Sequence, residues 1–365
     1  MTIYDFAIVG AGIAGASLAA ELAQGGARVV LLEAEDAPGY HATGRSAAFW
    51  DECYGGPGVV PLTLASGPYL RDHGFLHRRG ALYIGREQDE DQVDSFVERY
   101  RATQATIERV DASFLAGRVP GIRANWVHGV WEQGCADIDV AGLHAHYLAR
   151  AKSGAVEVMC RAQLTGAERP DGTWSLTLQD GRNLKAHMLV NAAGAWADEV
   201  AALAGARPLG LKAYLRTVVQ LRTDPVPPVA MPLVLDIAGS FYFKPEAGRL
   251  WLSPHDEVSS PAQDVAPDEL SVAEAIDRFE RVVDWNVNQV EKRWAGLRTF
   301  APDRLPVYGA DAEREGFAWF AGQGGFGIQT APAAARLMAQ RLLKLSPDAM
   351  TRSLDPAAYD PVRLG

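Results

Sequence analysis

The sequence predicts an α/β fold with a second, sheet-rich α+β unit, and three observations carry that prediction. The first is the opening stretch. A short apolar run, a Gly-rich turn and a helix-forming run lead to a second apolar run that ends in an acid. The second is the far end of the chain, where strand, Gly-rich turn and long helix recur across 317–345. The third is the middle, which is richer in hairpin signals such as Asp171-Gly172 and Asp180-Gly181. Two similar ends around a different middle predict a discontinuous first unit of 1–75, 142–211 and 296–365. A second unit of mixed or antiparallel sheet is expected in 76–141 and 212–295.

Taken in order, Asp5 to Val9 reads as a short buried strand. The stretch from Ile13 has apolar residues at helical spacing, with Ala and Leu favouring helix, and Gly25 and Gly26 end it. The β-branched run that follows is a second strand, closed by Glu33. In such a unit Gly10 makes the turn, Gly12 lets backbone approach a pyrophosphate, and Gly15 lets helix and strand pack closely. The phosphates would lie on the helix start at Ile13 and Ala14, where unpaired N–H groups and the positive dipole end point outward. Glu33, followed by Ala34, would accept hydrogen bonds from ribose hydroxyls and repel a 2′-phosphate. The reading is a Rossmann-like fold holding an adenine dinucleotide, FAD or NAD.

Further along, 36–58 is Gly-rich and irregular, 86–104 is the start of an acidic solvated helix, and 139–155 is an amphipathic helix. The stretch 240–254 is another hairpin. His144 and His146 stand two apart on the amphipathic helix, so their rings diverge and both read as surface residues.

The 365 residues suffice for two domains, and 48% apolar with 22% charged residues is an ordinary globular balance. A net charge of −10 argues against nucleic acid as a partner. Cys53, Cys135 and Cys160 have no metal-site spacing; no metal is expected, and the sparse thiols suggest a reduced, cytoplasmic protein. The N-terminus lacks the basic region of a secretion signal, and no segment offers the ~20 apolar residues of a spanning helix. Peripheral membrane contact stays open.

Five segments resemble FAD-dependent amine and D-amino-acid oxidoreductases of the D-amino-acid oxidase superfamily. They are the opening glycines with Glu33, 39–48, 190–198, 294–309 and 322–330. They are most similar to bacterial D-arginine dehydrogenase-like D-amino-acid dehydrogenases. The resemblance implies FAD, with Thr43, Gly44, Arg45, Ser46, Ala47 and Ala48 running along the pyrophosphate and flavin ring. It also implies Ala193, Gly194 and Trp196 near the pyrophosphate, and the Leu164 backbone near adenine. Gly325, Gly327, Ile328, Gln329 and Thr330 would open a helix against the flavin. Free N–H groups there would stabilise negative charge on the reduced ring, by about 1 kcal/mol. Residues 296–330 contain no Cys or His, so non-covalent FAD is expected.

For the substrate, Arg298 matches the family's carboxylate-binding arginine and Tyr242 an aromatic hydroxyl that reaches the same carboxylate. Arg216 matches a second arginine, and Tyr54 a tyrosine on the mobile loop over the flavin. The implied reaction is oxidative deamination of a D-amino acid by hydride transfer from Cα to flavin N5, giving an imino acid that hydrolyses to keto acid and ammonia. An α-amine titrates near ~8, so a modest downward shift suffices and no protein base is required. No histidine lies in these substrate motifs, which favours an amine over a 2-hydroxy acid. The D-arginine enzymes carry an acid where Ala81 stands and a His where Phe49 stands. Neutral or apolar side chains are therefore expected over D-Arg. The stretch 250–270 has no Lys of the kind that activates oxygen in some relatives. A quinone or dye is thus expected as electron acceptor ahead of O2. The alternative within the superfamily is a secondary-amine oxidase acting on sarcosine, glycine, proline or a cyclic amine. A flavin-bound subunit without its own turnover is the alternative outside that class.

Overall fold

In the computed structural model, which describes residues 2–365, the opening run forms the strand Ile3–Val9 and the helix Ile13–Gln24, followed by the strand Val29–Leu32. Ile3–Val9 pairs in parallel with Val29–Leu32 on one side and Asn183–Asn191 on the other. Glu157–Met159 extends this sheet in parallel beyond Val29–Leu32. The far edge of Asn183–Asn191 is shared. Its first residues pair antiparallel with Trp174–Leu178, and its last pair in parallel with Phe317–Ala321. Chain from both ends thus meets in one eight-stranded sheet. The long helix Gly327–Leu343 packs beside Ile13–Gln24, so Ala331, Ala334 and Leu337 share a core with Ala16, Leu18 and Ile8.

Small residues make this packing possible. A Cβ on Gly15 would lie 1.8 Å from the Gly10 carbonyl oxygen. One on Gly10, whose φ is +99°, would lie 2.5 Å from that of Ala192. Strand, helix and the loop after Asn191 therefore approach as only glycine permits.

The second sheet has nine strands and is antiparallel except where Leu233–Asp236 runs parallel to Ala81–Arg86. Its longest pair is Lys212–Asp224 against Asn286–Phe300. The expected boundary at 296 falls inside this last strand. The turns at Asp171-Gly172 and Asp180-Gly181 join antiparallel strands, and 240–254 forms the hairpin Tyr242–Glu246 with Arg249–Ser253. The acidic stretch forms the helix Glu90–Tyr100, which buries Val93 and Tyr100.

The surface placement of the two histidines is corrected by the fold. His144 is buried, with Nε2 2.9 Å from the Ala11 carbonyl, and burial lowers its pKa. His146 is half-buried against the Tyr69 hydroxyl at 2.8 Å. The helix carrying them, Val140–Ser153, packs on the first helix, and both rings fall on its protein-facing side while Ala141, Ala145 and Ala149 stay exposed.

A three-stranded sheet of Phe49–Trp50, Ala136–Ile138 and Leu76–Arg78 lies between the larger two. Lys244, 1% exposed, reaches into it from the second sheet, bonding Asp137 at 2.7 Å and Glu246 at 2.9 Å. Lys244→Ala should lower the unfolding free energy in urea by about 2 kcal/mol, because it removes a buried ammonium shared by two half-buried carboxylates, one of which keeps Arg79. Lys244→Met, which keeps the packing, should still cost at least 1 kcal/mol, roughly a neutral hydrogen bond's worth.

Candidate active site

The cradle for a dinucleotide begins at Gly12. The helix Ile13–Gln24 has no side-chain cap, and only the Ile13 amide finds a side-chain partner there, Thr43 Oγ1 at 2.9 Å. Glu33 is buried, with one oxygen accepting the Ala11 amide at 3.0 Å and the other the Glu35 amide at 3.0 Å. Each oxygen keeps a lone pair for a ribose hydroxyl. Ala34 is exposed beside it, and Ala14 is half-buried. Ala193 Cα would lie 3.1 Å from a Cβ on Gly10, which places the second Gly-containing turn on the first. Leu164 is buried among Val9, Val30 and Leu32. The Trp196 ring lies 4.6 Å from that of His41. Gly10, Gly12, Gly15, Thr43, Glu33, Ala193 and Gly194 thus fit an adenine dinucleotide.

Some expected contacts are spent elsewhere. The Arg45 guanidinium turns to the second unit, donating to Asp264 at 2.5 Å and to the Ala295 carbonyl at 3.2 Å. The Gln329 amide group meets Asp51, Tyr54 and Thr63, and Thr330 Oγ1 donates to the Phe326 carbonyl at 2.9 Å. These side chains hold the scaffold, so any contact of theirs with a bound group runs through backbone. The helix Gly327–Leu343 again starts with no side-chain cap, leaving N–H groups near Gly327 and Ile328 for a ligand. Ser46 Oγ accepts the Ala48 amide at 3.0 Å, and Ala48 sits at φ +60°, a conformation an L-residue rarely holds. Ala47 packs beside Phe49.

The residues expected to meet substrate converge. Arg216 stands opposite Gly296 and Arg298 opposite Tyr214 on the longest strand pair. Opposed residues share a face, so the two arginines are diagonal neighbours on one face. Gly296 on that face has only 3.1 Å between a would-be Cβ and Arg45 Cβ, so the face looks toward the first unit. Arg216 is 6% exposed and its guanidinium lies over the Tyr242 ring at 5.8 Å. Burial, then the charge of Arg298, lowers its pKa. Arg216 Nη1 and Arg298 Nε are buried without hydrogen-bond partners. Arg298 donates to Glu257 at 3.1 Å, and Arg304 holds the same carboxylate at 2.8 Å. Phe49 lies 5.0 Å from Tyr54 and 5.6 Å from Tyr242, and a Cβ on Gly325 would meet the Tyr54 hydroxyl at 2.5 Å. The Gly-rich turn, two arginines and three aromatic rings thus share one site.

Sequence reasoning missed His255, which reaches this site: its ring lies 5.6 Å from that of Tyr242. Its backbone is left-handed at φ +56°, and Nδ1 lies 2.7 Å from the Gly239 carbonyl. Burial, then the charge of Arg216, lowers its pKa to about 3, so the ring is neutral and Nδ1–H donates. The only signal was its place in a loop next to the second hairpin.

A dinucleotide cradle joined to a cationic, aromatic pocket defines a nucleotide-dependent redox enzyme. The model of the FAD-dependent oxidoreductase family matches residues 5–341, and the chain belongs to that family. FAD is therefore its cofactor. Among relatives, mitochondrial dimethylglycine dehydrogenase of Rattus norvegicus is 27% identical over 401 residues, covering 96% of this chain and 44% of that protein. The chain thus spans less than half of that relative. Two solved structures share the fold. Glycine oxidase from Geobacillus kaustophilus has a TM-score of 0.84 at 22% identity, covering 100% of this chain and 99% of that one. L-proline dehydrogenase from P. horikoshii has a TM-score of 0.86 at 20% identity, covering 99% and 97%. These names place the resemblance at the superfamily, and not specifically at D-arginine dehydrogenase-like enzymes. Among the described residues, no helix is long and apolar enough to cross a membrane.

Two measurements follow. Gly15→Val should leave the purified protein with less than about a tenth of the wild-type flavin, read from its visible absorbance, because a side chain there collides with backbone. His255 binds its proton less readily when folded than at its ordinary 6.5, so the unfolded state takes up more protons between pH 3 and 6.5. Its contribution to stability is present above that window and is lost as pH falls through it. His255→Asn should reduce the slope of unfolding free energy across the window by up to about 1.4 kcal/mol per pH unit.

Proposed function

We propose that this protein oxidises a small amino acid that carries a secondary amine, such as an N-methyl or cyclic amino acid. The observation that carries the reading is the pair of buried guanidinium groups with unpartnered donors, Arg216 Nη1 and Arg298 Nε. A substrate carboxylate satisfies both, because guanidinium offers forked donors that match carboxylate oxygens. The Tyr242 hydroxyl is a further donor to the same carboxylate, and Tyr54 closes the opposite side. Rings packed as closely as Phe49, Tyr54 and Tyr242 suit a compact substrate. The relatives named for dimethylglycine, glycine and L-proline support this reading over a D-amino acid with a long side chain.

With the carboxylate fixed, the amine nitrogen sits in a desolvated, cationic pocket. Both conditions favour its neutral form, so it loses its proton before the C–H bond of the adjacent carbon is broken. Bound FAD supplies the two-electron acceptor for the hydride that leaves that carbon. Water then hydrolyses the resulting imine. The two arginines also hold the reacting carbon in a fixed place, so their contribution is orientation as much as affinity.

Arg298→Met should lower kcat/KM by about a hundredfold, through a raised KM and a lowered kcat together, since the lost contact both binds and orients the substrate. The reading itself is tested by anaerobic bleaching of the flavin with a panel of sarcosine, N,N-dimethylglycine, L-proline, glycine, D-Met, D-Phe and D-Arg. Sarcosine or proline should bleach fastest. Preferential bleaching by D-Met or D-Phe would return the function to a D-amino-acid dehydrogenase.

A further inference from the structure

One buried cluster has no part in this chemistry. Asp51 lies in the loop that carries Tyr54, Glu132 ends the strand Trp126–Glu132, and Cys135 precedes Ala136–Ile138. A carboxylate oxygen from each acid and Cys135 Sγ nonetheless lie within 4.8 Å of one another. All three residues are 0% exposed. Asp51 is bonded, accepting the Cys53 amide at 2.7 Å, the Tyr54 amide at 2.9 Å and the Tyr83 hydroxyl at 2.9 Å. Glu132 is not: among the described residues neither oxygen has a well-formed hydrogen bond, and the Glu52 and Gly134 amides that face it only partly offset its burial. A Cβ on Gly134 would lie 2.8 Å from Glu132 Oε1 and 2.8 Å from Glu52 Oε1, so the space beside these oxygens admits no side chain. Lys244, whose charge reaches Cys135, is committed to Asp137 and Glu246.

A buried carboxylate with no donor is unstable by several kcal/mol unless it is protonated or coordinated. A proton shared with Asp51 would serve one Glu132 oxygen and leave the thiol idle. We propose that Asp51, Glu132 and Cys135 form a buried three-ligand site for a divalent ion of the zinc class. Two carboxylates and a thiolate are a donor set that zinc accepts. Binding expels the protons of Glu132 and Cys135 to solvent, so occupancy rises with pH. The ion would fasten the Tyr54 loop to the second sheet. This proposal is independent of the substrate reading.

The test uses FAD-loaded protein purified without chelators, incubated with zinc chloride and desalted. About one zinc per chain is expected by elemental analysis, with a higher melting midpoint than chelator-treated protein. Cys135→Ser and Glu132→Gln should each retain less than about a fifth of that zinc, at unchanged flavin content. Cobalt in place of zinc should give the wild type a thiolate-to-metal absorption band, a readout that needs no variant. Less than a tenth of an equivalent of zinc in the wild type, or zinc retained in full by both variants, overturns the site.

Discussion

Two like charges on one face of a sheet are the constraint around which the second unit is built. Arg216 and Arg298 are diagonal neighbours, both largely buried, and each leaves a donor without a partner. Left alone they would repel in a medium that screens poorly. The protein offsets this with Glu257, with the Asp256 carboxylate 3.7 Å from Arg216, with the carbonyls of His255 and Asp256, and with the electron-rich face of Tyr242. With Arg304 also on Glu257, three guanidinium groups still face two carboxylates. On the proposed function, the residual positive potential is what a substrate carboxylate would meet, so the instability of the empty pocket would also be its affinity.

The same field orders the neighbouring groups. His255 is kept neutral by burial and by Arg216. A neutral ring fixed through Nδ1 by the Gly239 carbonyl does not compete with substrate for the arginines. On the other side of the Tyr54 loop the sign reverses. Burial raises the pKa values of Asp51, Glu52 and Glu132, and repulsion by neighbouring acids adds to it for Asp51 and Glu132. One short loop therefore has an acidic core at its Asp51 end and a cationic pocket at its Tyr54 end.

The dinucleotide unit was legible in the sequence because its constraints are local. Gly10, Gly12, Gly15 and Glu33 lie in one strand–turn–helix–strand unit, and each answers to a contact inside it. The convergence of Arg216, Arg298, Tyr242 and Tyr54 came from family resemblance, since no local pattern joins residues so far apart. Gln329 and Arg45 show the limit of such transfer. Their motifs match, but their side chains close long-range contacts, to Asp51 and to Asp264. His255 and Glu132 were illegible for a related reason. A lone His in a loop and a lone Glu ending a strand acquire meaning only from cross-chain neighbours. The register that sets Glu132 opposite Ala81 is invisible until the strands pair. An acid thus stands one strand away from the position where the sequence appeared to lack one.

Gln329 joins the first turn of the last long helix to the Tyr54 loop through both ends of its amide. The lip of the pocket on that side is consequently stapled to the most buried helix of the molecule and cannot swing without it. Compliance is left to the opposite lip, where Glu257, Val258 and Ser259 are exposed and one carboxylate is divided between Arg298 and Arg304. A small acid such as the proposed substrate would pass most cheaply along that margin, by trading one carboxylate for another.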